Sequence, residues 1–115
     1  MSTRSIASVL AVVALASGLA GCVVHEGEAD VTFLWDFAGQ GCAEAGARYV
    51  DVWVEDLGDG SVDEFVGIPC TDGGIRFDIE PGLYYVEFWS DNDWFAAAEV
   101  RLRSGDNELF VHLTP

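Results

Sequence analysis

From Val31 to Leu113 apolar side chains recur at every second position. A period of two restricts a chain to strands that bury one face and wet the other. Val31, Phe33, Trp35 and Phe37 alternate with Thr32, Leu34 and Asp36, and Val50, Val52 and Val54 alternate with Tyr49, Asp51, Trp53 and Glu55. A weaker strand covers Val62 to Ile68. Ile75, Phe77 and Ile79 alternate with Arg76, Asp78 and Glu80, the cleanest half-buried pattern present. Leu83 to Trp89 is aromatic on both sides, with Tyr84, Val86 and Phe88 on one face and Tyr85 and Trp89 flanking Glu87 on the other. Trp94, Ala96, Ala98, Val100 and Leu102 form a sixth apolar face, and Leu109, Val111 and Leu113 a seventh. Turn residues separate these runs: Asp56 to Ser61, Glu80-Pro81-Gly82, Ser90 to Asp93, and Ser104 to Asn107. Ala43 to Ala47 supplies at most one helical turn. Seven strands with no amphipathic helix predict a single all-β domain, a seven-stranded antiparallel sandwich in which each strand buries its apolar face.

The first 21 residues follow a different rule. Arg4 provides a positive start, and Ile6 to Ala20 is an apolar run of 15 residues broken by Ser8, Ser17 and Gly18. That run is shorter than the roughly 20 residues of a membrane-spanning helix, and small residues follow it, which is the pattern of an export signal. Its end, Leu19-Ala20-Gly21-Cys22, resembles the bacterial lipobox. The resemblance implies cleavage before Cys22, a diacylglyceryl thioether on that sulfur and often a further palmitate-type chain on the new amino group. Two chains suffice for stable anchoring where one is marginal. The domain division expected is residues 1–21 as lipoprotein signal peptide, 22–30 as a short lipidated tether, and 31–115 as the sandwich. Val23 lacks the aspartate that retains lipoproteins at the inner membrane of enteric bacteria, so the resemblance leans toward the outer membrane.

With Cys22 given to lipid, Cys42 and Cys70 remain, and two thiols in an oxidising compartment predict a disulfide. The alternative is a metal or redox pair. Against it, the chain has no C-x-x-C, and its two histidines, His25 and His112, lie far apart.

Removing 21 of 115 residues leaves 94, enough for one domain. It removes Arg4 and no acid, so four arginines face 20 acidic residues, a net charge of −16 with no lysine present. A field of that sign repels nucleic-acid phosphates and argues against nucleic-acid binding. It suits cationic partners, divalent ions or plain solubility.

The order of features also resembles small extracellular prealbumin-like or carboxypeptidase-regulatory-like sandwiches, including lipoproteins of myxobacterial type. The matching pieces are the Trp35 strand, Cys42 before Ala45-Gly46-Ala47, Cys70 before Gly73-Gly74, and Glu80-Pro81-Gly82-Leu83-Tyr84-Tyr85-Val86. The resemblance implies a sandwich of prealbumin-like or immunoglobulin-like type with a structural or adhesive role, and it brings no catalytic residue.

Catalysis lacks support in the residues: there is no G-x-S-x-G, no H-E-x-x-H and no phosphate-cradling glycine motif. Adjacent carboxylates such as Asp63 and Glu64 point to opposite faces of a strand. The expectation is a non-enzymatic, membrane-anchored envelope lipoprotein, without cofactor, that contacts an envelope protein or a surface glycan. Two features stay open. Asp56, Asp59, Asp63, Asp91 and Asp93 form oxygen-rich loops that suit either calcium or simple solvated turns. Trp53 and Trp89, beside Tyr49 and Tyr85, suit either a partly buried core side or a platform for a protein or glycan.

Overall fold

The computed structural model describes residues 27–115. Cys22, His25 and the export signal lie outside the described residues. The elements in chain order are β1 (Ala29–Phe37), a single helical turn α1 (Cys42–Ala45), β2 (Tyr49–Asp56), β3 (Val62–Pro69), a 3-10 turn (Cys70–Asp72), β4 (Gly74–Ile79), β5 (Gly82–Ser90), β6 (Phe95–Leu102) and β7 (Gly105–Leu113). The first strand begins at Ala29, two residues before Val31, and Ala29 is itself fully buried.

Two sheets form a β-sandwich, one with strand order β4-β1-β7 and one with order β3-β2-β5-β6. Alternation decides which faces meet. Val31, Phe33, Trp35 and Phe37 from β1 are buried against Val50, Val52 and Val54 from β2 and Tyr84, Val86 and Phe88 from β5. Aromatic edges fill the core: the Phe33 ring meets Phe88 of the facing sheet at 5.5 Å and Phe77 of its own sheet at 5.3 Å, both edge-on. Ile75, Phe77, Ile79, Ala96, Ala98, Val100 and Leu109 are half-buried and pack on this core, as their alternation predicts.

Among the described residues all strand pairings are antiparallel except one. β1 and β7 run parallel, in register from Ala29 opposite Gly105 to Phe37 opposite Leu113. Antiparallel pairing throughout was the expectation, because consecutive strands joined by short turns pair that way. β1 and β7 are the first and last strands, and the intervening chain supplies the long crossover that a parallel pair needs. A bridge between Phe95 and Thr114 then ties β6 to the end of β7 and links the two sheets at that side.

The disulfide joins Cys42 and Cys70, with Cα atoms 6.0 Å apart. It ties α1 to the 3-10 turn between β3 and β4. The Trp35 indole Nε1 donates to the Cys70 carbonyl at 3.4 Å, so the central tryptophan of β1 and the disulfide share one buried corner. Next to it, Gly73 adopts φ 75°, and a Cβ on Gly74 would stand 2.2 Å from the Phe33 carbonyl oxygen. The paired glycines thus serve two needs, a left-handed turn and a close approach of β4 to β1.

Candidate functional site: the outer face of the four-stranded sheet

The alternation that buries Val50, Val52 and Val54 forces Tyr49, Asp51, Trp53 and Glu55 outward. On β5 the same rule turns out Leu83, Tyr85, Glu87 and Trp89, and on β6 Phe95, Ala97, Glu99 and Arg101. Register then sets neighbours. Trp53 stands opposite Glu87 on one side and Glu64 on the other, while Asp51 faces Trp89 and Glu55 faces Tyr85. Trp89 in turn opposes Phe95, their ring centroids 4.4 Å apart. Tyr49 is 46% exposed, Trp53 38% and Trp89 42%. Of the two alternatives open for Trp53 and Trp89, a partly buried core side or an outward platform, their position on the outer face fits the second. Phe33, Phe88 and the β2 valines occupy the inner side, and strand pleating leaves the Trp53 and Trp89 rings on the far side.

Glu87 organises the centre of this face. Its Oε2 accepts from the Tyr85 hydroxyl at 2.7 Å and its Oε1 from the Trp89 indole Nε1 at 3.1 Å. The hydrogen bond to Glu87 is the main cause that raises the Tyr85 phenol above its ordinary pKa, so the donor stays protonated. Directly across from Glu87 on β6 is Ala97, whose small side chain leaves the carboxylate uncovered on that flank. The arrangement is a sheet surface of rings with a positioned carboxylate between them. It can stack on flat or apolar groups, accept hydrogen bonds and hold positive charge. Glu87 and Phe95 were visible in the sequence only as members of alternating runs. Their partnership with Trp89 depends on cross-strand register.

The acidic loops belong elsewhere. Asp56 and Asp59 lie in the turn after β2, while Asp91 and Asp93 lie in the turn after β5. Because β2 and β5 are antiparallel, with Val50 opposite Ser90 and Asp56 opposite Tyr84, these turns sit at opposite ends of the sheet, separated by roughly 20 Å of strand. The set Asp56, Asp59, Asp63, Asp91 and Asp93 is therefore not one calcium site. Among the described residues no group of three or more His, Cys, Asp or Glu side chains converges to hold a metal ion.

Asp56, Asp59 and Asp91 instead cap the protein's own backbone. Asp56 Oδ1 accepts from Gly58 N at 2.7 Å, and Asp59 Oδ1 accepts from both the amide and the hydroxyl of Ser61. The Ser61 contacts hold the Asp59 carboxyl below its usual pKa. Asp91 Oδ1 accepts from the amides of Arg48 and Tyr49, which lower its pKa in the same way, and Asn92 Nδ2 donates to the Ala45 carbonyl. The β5–β6 turn is thus a clasp on the segment between α1 and β2. Asp63 and Glu64 diverge as the pleat requires: Asp63 pairs across from buried Val54 and Glu64 across from outward Trp53.

On the opposite sheet, the Arg76 guanidinium donates to both oxygens of Asp30, from Nε at 3.0 Å and from the terminal nitrogen at 2.7 Å. The bond to Arg76 lowers the Asp30 pKa. His112 Nδ1 lies 2.6 Å from Asp36 Oδ1 on the same outer face.

No known family model and no curated protein matches this chain. A solved structure of a leucine-rich repeat protein from Bacteroides thetaiotaomicron aligns with 97% of this chain at 16% identity and a TM-score of 0.44. The chain spans 16% of that protein's length.

Proposed function

We propose that this chain is a non-enzymatic, membrane-anchored envelope lipoprotein whose sandwich serves as an interaction module. The exposed aromatic face around Glu87 carries the reading. Trp53 and Trp89 stand open beside Tyr49 and Phe95 on one sheet surface, and large aromatics of this kind are typical anchors of recognition surfaces. The anchor rests on the lipobox-like Leu19-Ala20-Gly21-Cys22, with palmitate-type acylation at Cys22. The Cys42–Cys70 disulfide supports an extracytoplasmic site, since such bonds persist where the surroundings are oxidising. The outer membrane is the proposed address, and the prealbumin-like type the proposed family of the sandwich.

Two measurements test the reading. Intact mass of the membrane-extracted protein should equal residues 22–115 plus two or three acyl chains; a product that retains residues before Cys22, or one without lipid, removes the anchor. A photo-crosslinking amino acid at position 53, introduced into the full-length protein in intact cells, should capture a reproducible envelope component, whereas the same group at position 78 on the other sheet should not. Equal capture at both positions would remove the assignment of the interaction surface.

A further inference from the structure

We infer that the face around Glu87 docks an extended peptide segment bearing arginine or lysine, rather than a neutral glycan or an anionic polymer. The inference rests on the proposed reading of this face as the interaction surface, and charge complementarity carries it. Asp51, Glu55, Glu64, Glu87 and Glu99 share the face with the aromatic rings, while Arg101 lies toward one corner, opposite Leu83. The whole chain has a net charge of −15, so approach of a cation is favoured at long range as well.

Ring faces and carboxylates attract the same ligand. The faces of Trp and Tyr rings are electron-rich and attract guanidinium and ammonium groups within about 6 Å of the centroid. The protein already makes one such contact at the margin of this surface, where the Arg48 guanidinium carbon lies 5.9 Å from the Tyr49 ring centroid. Further in, Trp53 across the strand pair from Glu87 and Trp89 two residues along its own strand offer the same kind of surface. The Glu87 carboxylate is held by Tyr85 and Trp89, which use two of its roughly four acceptor positions. A carboxylate held by Tyr85 and Trp89 and adjoining the Trp53 ring suits a planar guanidinium that donates to oxygen and stacks at once.

Spacing favours a peptide over an isolated cation. Outward residues on one strand recur about every 7 Å, the interval between same-side residues of an extended peptide. Tyr85, Glu87 and Trp89 therefore present carboxylate and ring in the same repeat as alternate side chains of such a segment. A neutral glycan would use the rings and leave the surrounding negative charge without a role, and an anionic polymer would be repelled by it.

The test uses the full-length protein in non-ionic detergent, titrated by calorimetry at low and at physiological salt. The probes are the peptide acetyl-Arg-Gly-Arg-Gly-Arg-amide, its glutamine-for-arginine counterpart, and chitohexaose. The arginine peptide is expected to bind and the other two are not. Trp53→Ala and, separately, Glu87→Gln should each weaken binding by about fivefold or more. The double variant Asp78→Asn/Glu108→Gln, which removes two charges from the opposite sheet, should leave binding within about twofold. Because both test residues are surface groups, circular dichroism and the thermal melt verify the fold of each variant.

Equal loss in the opposite-sheet variant would reduce the effect to diffuse attraction and overturn the inference. So would the absence of arginine-peptide binding, or chitohexaose binding lost in Trp53→Ala. If crosslinking at position 53 still captures a partner in those cases, the interaction face stands and only its cationic ligand falls. If crosslinking fails while the peptide binds as described, the chemistry stands and the cellular role falls.

Discussion

Tyr84 is 2% exposed, and its hydroxyl donates to the Glu80 carbonyl just before the Pro81-Gly82 turn. Burial first, then the nearby Asp56 charge, pushes its phenol from 10.0 up to about 12. The folded chain therefore holds this proton more tightly than the unfolded one. That stability is fully present below about pH 10 and is lost as pH rises through about 12. Tyr84→Phe should cost about 1 kcal/mol at neutral pH through the lost hydrogen bond. It should also flatten the fall in stability between about pH 10 and 12, as followed by urea melts; an unchanged alkaline slope would assign that fall to other groups. Gly74 offers a second residue-level test. Adding one methyl group there drives a Cβ against the Phe33 backbone oxygen, and Gly74→Ala should destabilise by about 1 to 3 kcal/mol. Gly73-Gly74 stood out in the sequence only as part of the Cys70 phrase of the sandwich resemblance. The close approach to β1 was not legible there, because it depends on which strand lies beside β4.

Strand identities were the most legible elements, since most of the strands alternate one apolar face with one polar face. The edge strand β3 was the weakest in the sequence for a structural reason. Among the described residues it pairs only with β2, carries Val66 at 72% exposure and bulges at Gly67, whose amide donates to Asp51 Oδ1 at 2.8 Å. An inward-facing Asp63 and a bulge discourage another chain from pairing along such an edge. The Cys42–Cys70 link staples the start of α1 to the turn after β3, closing a loop of 28 residues in sequence separation. Replacing both cysteines with serine should lower unfolding free energy by about 3 to 4 kcal/mol on the chain-entropy estimate. Denaturant titration of the double variant checks this, and a loss below about 1 kcal/mol would mean that the unfolded chain is already restricted there. The Trp35 bond to the Cys70 carbonyl predicts that the indole environment changes with it, visible as a shift in tryptophan emission.

At the scale of the whole molecule, 20 acids against five arginines make the native state self-repelling. Screening should relieve this. Raising sodium chloride from about 20 to about 500 mM should increase the melting temperature by roughly 4 to 8 °C for each 1 kcal/mol of repulsion removed. A melting temperature that does not rise would mean that local pairs such as Arg76 with Asp30, which salt weakens, offset the gain. The distribution of the acids matters as much as their number. Several are absorbed by the protein's own amides at turns, while those on the outer face of the β3-β2-β5-β6 sheet stand among aromatic rings.

The strand set and the inward residues were legible in the residues alone, because pleat periodicity is a local property; the Cys42–Cys70 pair was an expectation that depended on giving Cys22 to lipid, and the disulfide is present in the structure. The same periodicity determined that Trp53 and Trp89 lie on the side of their strands opposite the valines and Phe88. Folding is what turns this side outward, sets Glu87 hydrogen-bonded between Tyr85 and Trp89, and sends the two acidic turns to opposite ends of a sheet. It likewise decided the parallel union of the first and last strands. Alternation specifies a face but neither a neighbour nor a direction. Those follow from register and from how two sheets close over one core.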